Sequence, residues 1–192
     1  MVDTETTGFS PAAGHAVVEI ATIPITDGAI GDTWATLVRP GRAIPVEAAA
    51  VHGINDAMVL DAPEAGKVAG ELRRRCGDLT LVFHNAAFDL SFLRVLLREG
   101  GTPPLLNPVI DTLGLARGFP APGGYSLDAL AARFGIARDT HHRAAPDASV
   151  TARLLLALTP RWEKERGVRS LPELAAISQD VLRRERARPP AV

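Results

Sequence analysis

The hydrophobic period changes along the chain, and that change restricts the fold to a sheet layered with helices. Residues 17–25 are apolar and β-branched, Asp27-Gly28 is a turn signal, and residues 33–38 alternate again. This pattern predicts an opening hairpin-like sheet of about three strands. Residues 64–75 follow a helical period, and residues 79–83 read as a short buried strand ending at His84-Asn85. A second helix is predicted over residues 88–98, with Phe88, Phe92, Leu93 and Leu96 on one face. Val109-Ile110 reads as another short strand, and residues 118–124 as a Gly/Pro loop. Ser126 suits the N-cap of a helix that Gly135 stops. Residues 148–158 form the next helix, introduced by Pro146, whose missing N–H costs nothing in a first turn. The predicted class is α/β, a mixed central sheet flanked by helices.

After Pro160 the pattern changes. Leu171, Leu174, Ile177 and Val181 recur at helical spacing, predicting an amphipathic helix over residues 170–186 and then a Pro-ended tail. The expected organisation is therefore a domain over residues 1–160 and a C-terminal helical extension and tail over residues 161–192.

A chain of 192 residues that is 46% hydrophobic can close one substantial core. The single Cys76 cannot form an intramolecular disulfide, and Met1 is not followed by a secretory pattern. No apolar run approaches the roughly 18 residues of a membrane span. These features predict a reducing, cytoplasmic setting. The net charge of -1 does not suggest a nucleic-acid partner. Residues 161–192, however, hold eight Lys or Arg against five Asp or Glu, which leaves thirteen against seventeen in the first 160. If some of those acids bind divalent cations, positive charge returns where a phosphate would sit.

Three segments carry the chemistry. In Asp3-Thr4-Glu5-Thr6-Thr7-Gly8, an extended strand projects Asp3 and Glu5 from one face, where two carboxylates can share a hard cation. His84-Asn85-Ala86-Ala87-Phe88-Asp89 lies where a buried strand hands over to a helix, a usual place for functional groups in α/β proteins. There His84 and Asn85 are expected to shape the turn, and Asp89 by itself is equally explained as a charge at a helix start. In His141-His142-Arg143-Ala144-Ala145-Pro146-Asp147, Asp147 falls in a first helical turn and His142 on the loop before it. A fixed acid and a movable histidine suit a metal ligand paired with a general base.

In this order, the three segments resemble the DnaQ-like 3′-5′ exonucleases of the DEDD superfamily, histidine subtype, which have a ribonuclease H-like fold. The resemblance runs from residue 2 to about 158 and includes Val51-His52-Gly53-Ile54, Asp111-Thr112-Leu113 and Ser126-Leu127-Asp128-Ala129-Leu130. It implies two divalent cations, Mg²⁺ or Mn²⁺, on Asp3, Glu5, Asp89 and Asp147, with His142 as general base. It also implies contacts to the terminal nucleotide from Thr6 and from Ile54, the latter as an apolar wedge, although Ile54 is equally well explained as core. His52 is expected to be a turn residue, and His141 matches no family role. The implied substrate is a nucleic acid with a free 3′ end, single-stranded or frayed, and a DNA polymerase subunit is a candidate partner. The same residues serve exoribonucleases, so DNA and RNA both stand, as does a silent module that docks on a polymerase or binds nucleic-acid ends.

One departure from the family is that only Met1 and Val2 precede Asp3. The expectation is that the natural start lies upstream, or that the short opening strand lowers stability and brings the terminal ammonium near Asp3 and Glu5.

Overall fold

The computed structural model describes residues 1–120, 122–137 and 142–186. It opens with β1 (Val2–Thr6), which pairs antiparallel with β2 (Val17–Thr22). The register places Glu5 opposite Glu19, and a bulge follows between Glu5 and Thr6. The expected strand over residues 17–25 is interrupted at Pro24, which has no N–H to give a ladder. Beyond it β3 (Ile25–Thr26) and β4 (Ala29–Ile30) form a small hairpin across the predicted Asp27-Gly28 turn. The strand β5 (Trp34–Leu37) returns to the other edge of β2, giving the order β1-β2-β5.

Two short helices, α1 (Val46–His52) and α2 (Asp56–Val59), precede α3 (Ala65–Cys76). Then β6 (Leu81–Phe83) leads into α4 (Ala86–Glu99), and β7 (Val109–Asp111) pairs parallel with β6. Strand β6 begins later than predicted because Leu79 is exposed rather than buried. β6 lies beside β1, so antiparallel and parallel strands share one layer. The helices α5 (Thr112–Arg117), α6 (Leu127–Phe134), α7 (Ala144–Arg166) and α8 (Leu171–Arg186) complete the chain. The Ser126 hydroxyl accepts the Ala129 N–H, and Gly135 ends α6 in the left-handed region, both as predicted.

Helices cover both faces of the sheet. Val2 and Ile20 join Leu72, Phe92, Leu93 and Leu96 in the core under α3 and α4. Ala21 and Ile23 join Ala148, Ala152 and Leu155 in the core under α7. Pro160 was expected to mark a boundary, yet α7 runs through it. Proline at this point removes the hydrogen bond to the Leu156 carbonyl and costs about 3 kcal/mol. The burial of Trp162 just beyond it offsets that cost. Trp162 is 3% exposed, meets Phe119 edge-on at 4.9 Å and donates its indole N–H to the Leu115 carbonyl. Helix α8 packs on α5 and β7, with the buried Ser178 hydroxyl accepting the Asp111 N–H at 3.1 Å. No helix among the described residues is long and apolar enough to cross a membrane.

Candidate active site

Alternation along β1 sends neighbouring side chains to different helices. Asp3 and Glu5 share the face with Glu19, toward α7, and Thr4 faces α4. Asp147 sits in the first turns of α7 and Asp89 in those of α4. Asp3, Glu5, Asp89, Asp147 and His142 all line one open cleft of about 270 Å³. Asp128 adds a fifth carboxylate, and among the described residues no Lys or Arg lines the cleft.

This concentration of like charge is visible in the titration of the acids. Burial, then the carboxylates of Asp89, Glu5 and Asp147, raise Asp3 well above the usual range. Burial, then Asp147, Glu19 and Asp89, push Glu5 up to about 8, partly opposed by Arg143. Burial pushes Asp89 up to about 7, against the pull of its hydrogen bond from Thr4. Among the described residues, no three Asp, Glu, His or Cys side chains close on one point as a finished cage; the acids line a wall. By donor chemistry, crowded carboxylate oxygens fit hard divalent cations.

Supporting contacts hold these acids in place. The Thr4 hydroxyl donates to Asp89 Oδ1 at 2.7 Å. Asp111 is 1% exposed, and its carboxylate accepts the N–H groups of Asn85 (2.9 Å), Ala86 (2.8 Å) and Leu113 (3.0 Å). That cap, with Asn85 in the left-handed region, starts α4 at Ala86 rather than at the predicted Phe88. Glu19 accepts a two-point contact from Arg143 and the N–H of Ala144. Sequence reading did not single out Asp111's capping role, Glu19 or Arg143. Asp111 acts on residues 25 and 26 positions away and Glu19 on residues 124 and 125 positions away, and neither pairing leaves a local signal.

Of the remaining expected residues, His84 lines the cleft, while Thr6, Ile54 and His52 do not. Thr6 is buried, and its hydroxyl donates to the Gly8 carbonyl at 2.6 Å. Ile54 is 0% exposed, packed with Val18, Ile44 and Val59, so its side chain offers no surface to a base in this arrangement. His52 is the expected turn residue: its Nδ1 accepts the Ile54 N–H at 3.0 Å. His84 ties the β6 end to Thr112 and to the Tyr125 carbonyl. His141 lies outside the described residues. The Met1 ammonium donates to the Ile23 carbonyl at 2.6 Å, and burial lowers its pKa to about 6. Its ionisable neighbour is Cys76, and the charges acting on Asp3 are carboxylates.

Residues 1–155 match the exonuclease family described as RNase_T. The DNA polymerase III subunit epsilon-like protein of Rhodobacter capsulatus is 42% identical over 174 residues, which cover 86% of this chain and 24% of that protein. The DNA polymerase III subunit epsilon of Rickettsia typhi is 36% identical over 166 residues, 83% of this chain and 72% of that protein. Among solved structures, exonuclease X in complex with 5′ overhanging duplex DNA superposes with a TM-score of 0.73 at 32% identity, covering 92% of this chain and 97% of that one. Exonuclease I of E. coli with a dT13 oligonucleotide gives a TM-score of 0.76 at 17% identity, a likeness of fold. The chain thus spans about a quarter of the first of these relatives and nearly all of exonuclease X.

Proposed function

The chain belongs to the RNase_T exonuclease family, with a ribonuclease H-like fold, and from that premise we propose that it removes nucleotides one at a time from the 3′ end of DNA. The products are nucleoside 5′-monophosphates. The observation that carries this reading is the meeting of four carboxylates and His142 on one cleft. Asp3, Glu5, Asp89 and Asp147 would hold two divalent cations, Mg²⁺ or Mn²⁺. Bound there, the cations supply Lewis-acid polarisation of the phosphate and neutralise charge on the attacking and leaving oxygens.

The protein's own groups do the rest. His142, exposed at the cleft edge, accepts the proton of the attacking water. Asp89 is held by Thr4 and by the Asp111-capped start of α4, so its carboxylate cannot swing away when a phosphate enters. Thr6 remains the candidate for a backbone contact to the terminal nucleotide, and Ile54 would reach a base only after the α1–α2 segment shifts. DNA is the preferred substrate because the 32% identical neighbour is described with duplex DNA. A polymerase subunit is the proposed partner by likeness to epsilon subunits.

The test is digestion of a 5′-labelled single strand, a mismatched duplex and a short RNA with Mg²⁺ present. A ladder shortening from the 3′ end with mononucleotide release is expected, fastest on DNA. Internal fragments, cutting of closed circles, or full activity in excess chelator would reject the reading, and faster loss of RNA would move it to RNA ends.

A further inference from the structure

His142 sits in the left-handed region, at φ 54°, where a side chain is held only if the neighbouring chain fixes it. The two residues that follow it provide that hold. Arg143 is extended, at φ -138° and ψ 138°, and stands at the N-cap of α7, where its side chain supplies no cap. Its guanidinium instead forks onto Glu19, with Nε to Oε2 at 2.9 Å and Nη2 to Oε1 at 2.5 Å. Glu19 Oε2 also accepts the Ala144 N–H at 2.9 Å, so the missing cap arrives from the sheet. Glu19 is 4% exposed on β2, the middle of three strands, directly opposite Glu5. A buried carboxylate on a central strand therefore takes three hydrogen bonds from the two residues after His142.

We infer that Glu19 and Arg143 are positioning residues for His142, a fork that sets where the imidazole stands over the cleft. The inference rests on the reading of His142 as general base. The two contacts to Glu19, the Ala144 N–H and the guanidinium fork, have separable effects. The contact to Ala144 holds the start of α7, and with it Asp147, and survives any change at Arg143. The guanidinium fork fixes the backbone between His142 and the helix. Arg143 also bears on Glu5 electrostatically, so a neutral replacement would disturb the acids as well. Arg143→Lys avoids this, because it keeps the charge and loses the planar fork. Arg143 is partly exposed and belongs to none of the hydrophobic clusters.

The experiment measures single-turnover hydrolysis of a DNA oligonucleotide at saturating Mg²⁺ for wild type, Arg143→Lys, His142→Ala and the double variant, with the half-saturating Mg²⁺ concentration of each. Arg143→Lys is expected to slow the chemical step roughly 10- to 100-fold, as misplacement of a reacting group does, with the Mg²⁺ requirement unchanged. In the His142→Ala background the same change should cost less than about twofold, because its target is gone. A purely structural role would slow both backgrounds alike, and that result overturns the inference. So does an Arg143→Lys rate within about twofold of wild type. If His142→Ala itself turns over at the wild-type rate, the general-base reading fails first and the inference falls with it.

Discussion

The hydroxyl of Thr4 donates to Asp89 Oδ1 at 2.7 Å, joining β1 to α4 across 85 positions of sequence. Through it β1 addresses both faces of the sheet: Asp3 and Glu5 look toward α7, while Thr4 holds the acid on α4. Asp89 is 4% exposed, and burial works against its charge while Thr4 works for it.

Thr4→Val keeps the shape and removes the donor. A buried acceptor deprived of a hydrogen bond typically costs about 1–3 kcal/mol. The variant should unfold at lower denaturant concentration and need several-fold more Mn²⁺ for half-maximal binding by calorimetric titration. Wild-type affinity in the variant would mean that the hydroxyl only fills space.

Removing an acid outright should separate stability from activity. Asp147→Ala is expected to abolish measurable hydrolysis yet leave the chelator-treated protein at least as stable as wild type, because it relieves repulsion on Asp3 and Glu5. Thermal melts in chelator check the second half. A clear fall in melting temperature would show that Asp147 is structural.

Local signals marked much of this site and fold. The Asp3/Glu5 alternation, the Ser126 cap and the Gly135 stop depend on neighbours in sequence, and each appears in the structure as expected. What was not legible depends on distant partners. The start of α4 is set by Asp111, from 25 positions away, and Glu19 reads as an ordinary polar strand residue until Arg143 closes on it from 124 positions away. Pro160 gave a true local signal that lost to packing: it is exposed, so the carbonyl it deprives can reach water, and Trp162 is buried just beyond it.

That packing is testable at Trp162. The Gly118 backbone lies so close to its ring that a Cβ there would stand 2.2 Å from the ring edge. Trp162→Ala should cost about 3–5 kcal/mol, the usual range for a buried aromatic. Because Trp162 is not part of the cleft wall, hydrolysis at low temperature should stay near wild type. Lost activity in a folded variant would instead couple the end of α7 to the catalytic acids.

The crowded acids also set how stability depends on pH. Glu5, ordinarily near 4.5, is pushed up to about 8 in the fold, and Asp89, ordinarily near 3.8, to about 7. A raised folded pKa means that the folded chain keeps protons the unfolded chain has already released. The resulting stabilisation is complete below about pH 4 and is lost as pH rises through about 7 and 8. The Met1 ammonium, lowered to about 6 by burial, works the other way, since it favours the fold as pH rises. Three groups thus titrate in one window with opposed signs, and Glu5→Gln isolates the carboxylates. In chelator, the variant should gain stability over wild type at about pH 8 and little at about pH 5. Adding Mn²⁺ should raise the wild-type melting temperature far more at the higher pH, where the acids are free to bind it, than at the lower. A Glu5→Gln difference that is the same at both pH values would mean that Glu5 is already ionised in the folded chain, and the cleft would then be less desolvated than its geometry implies.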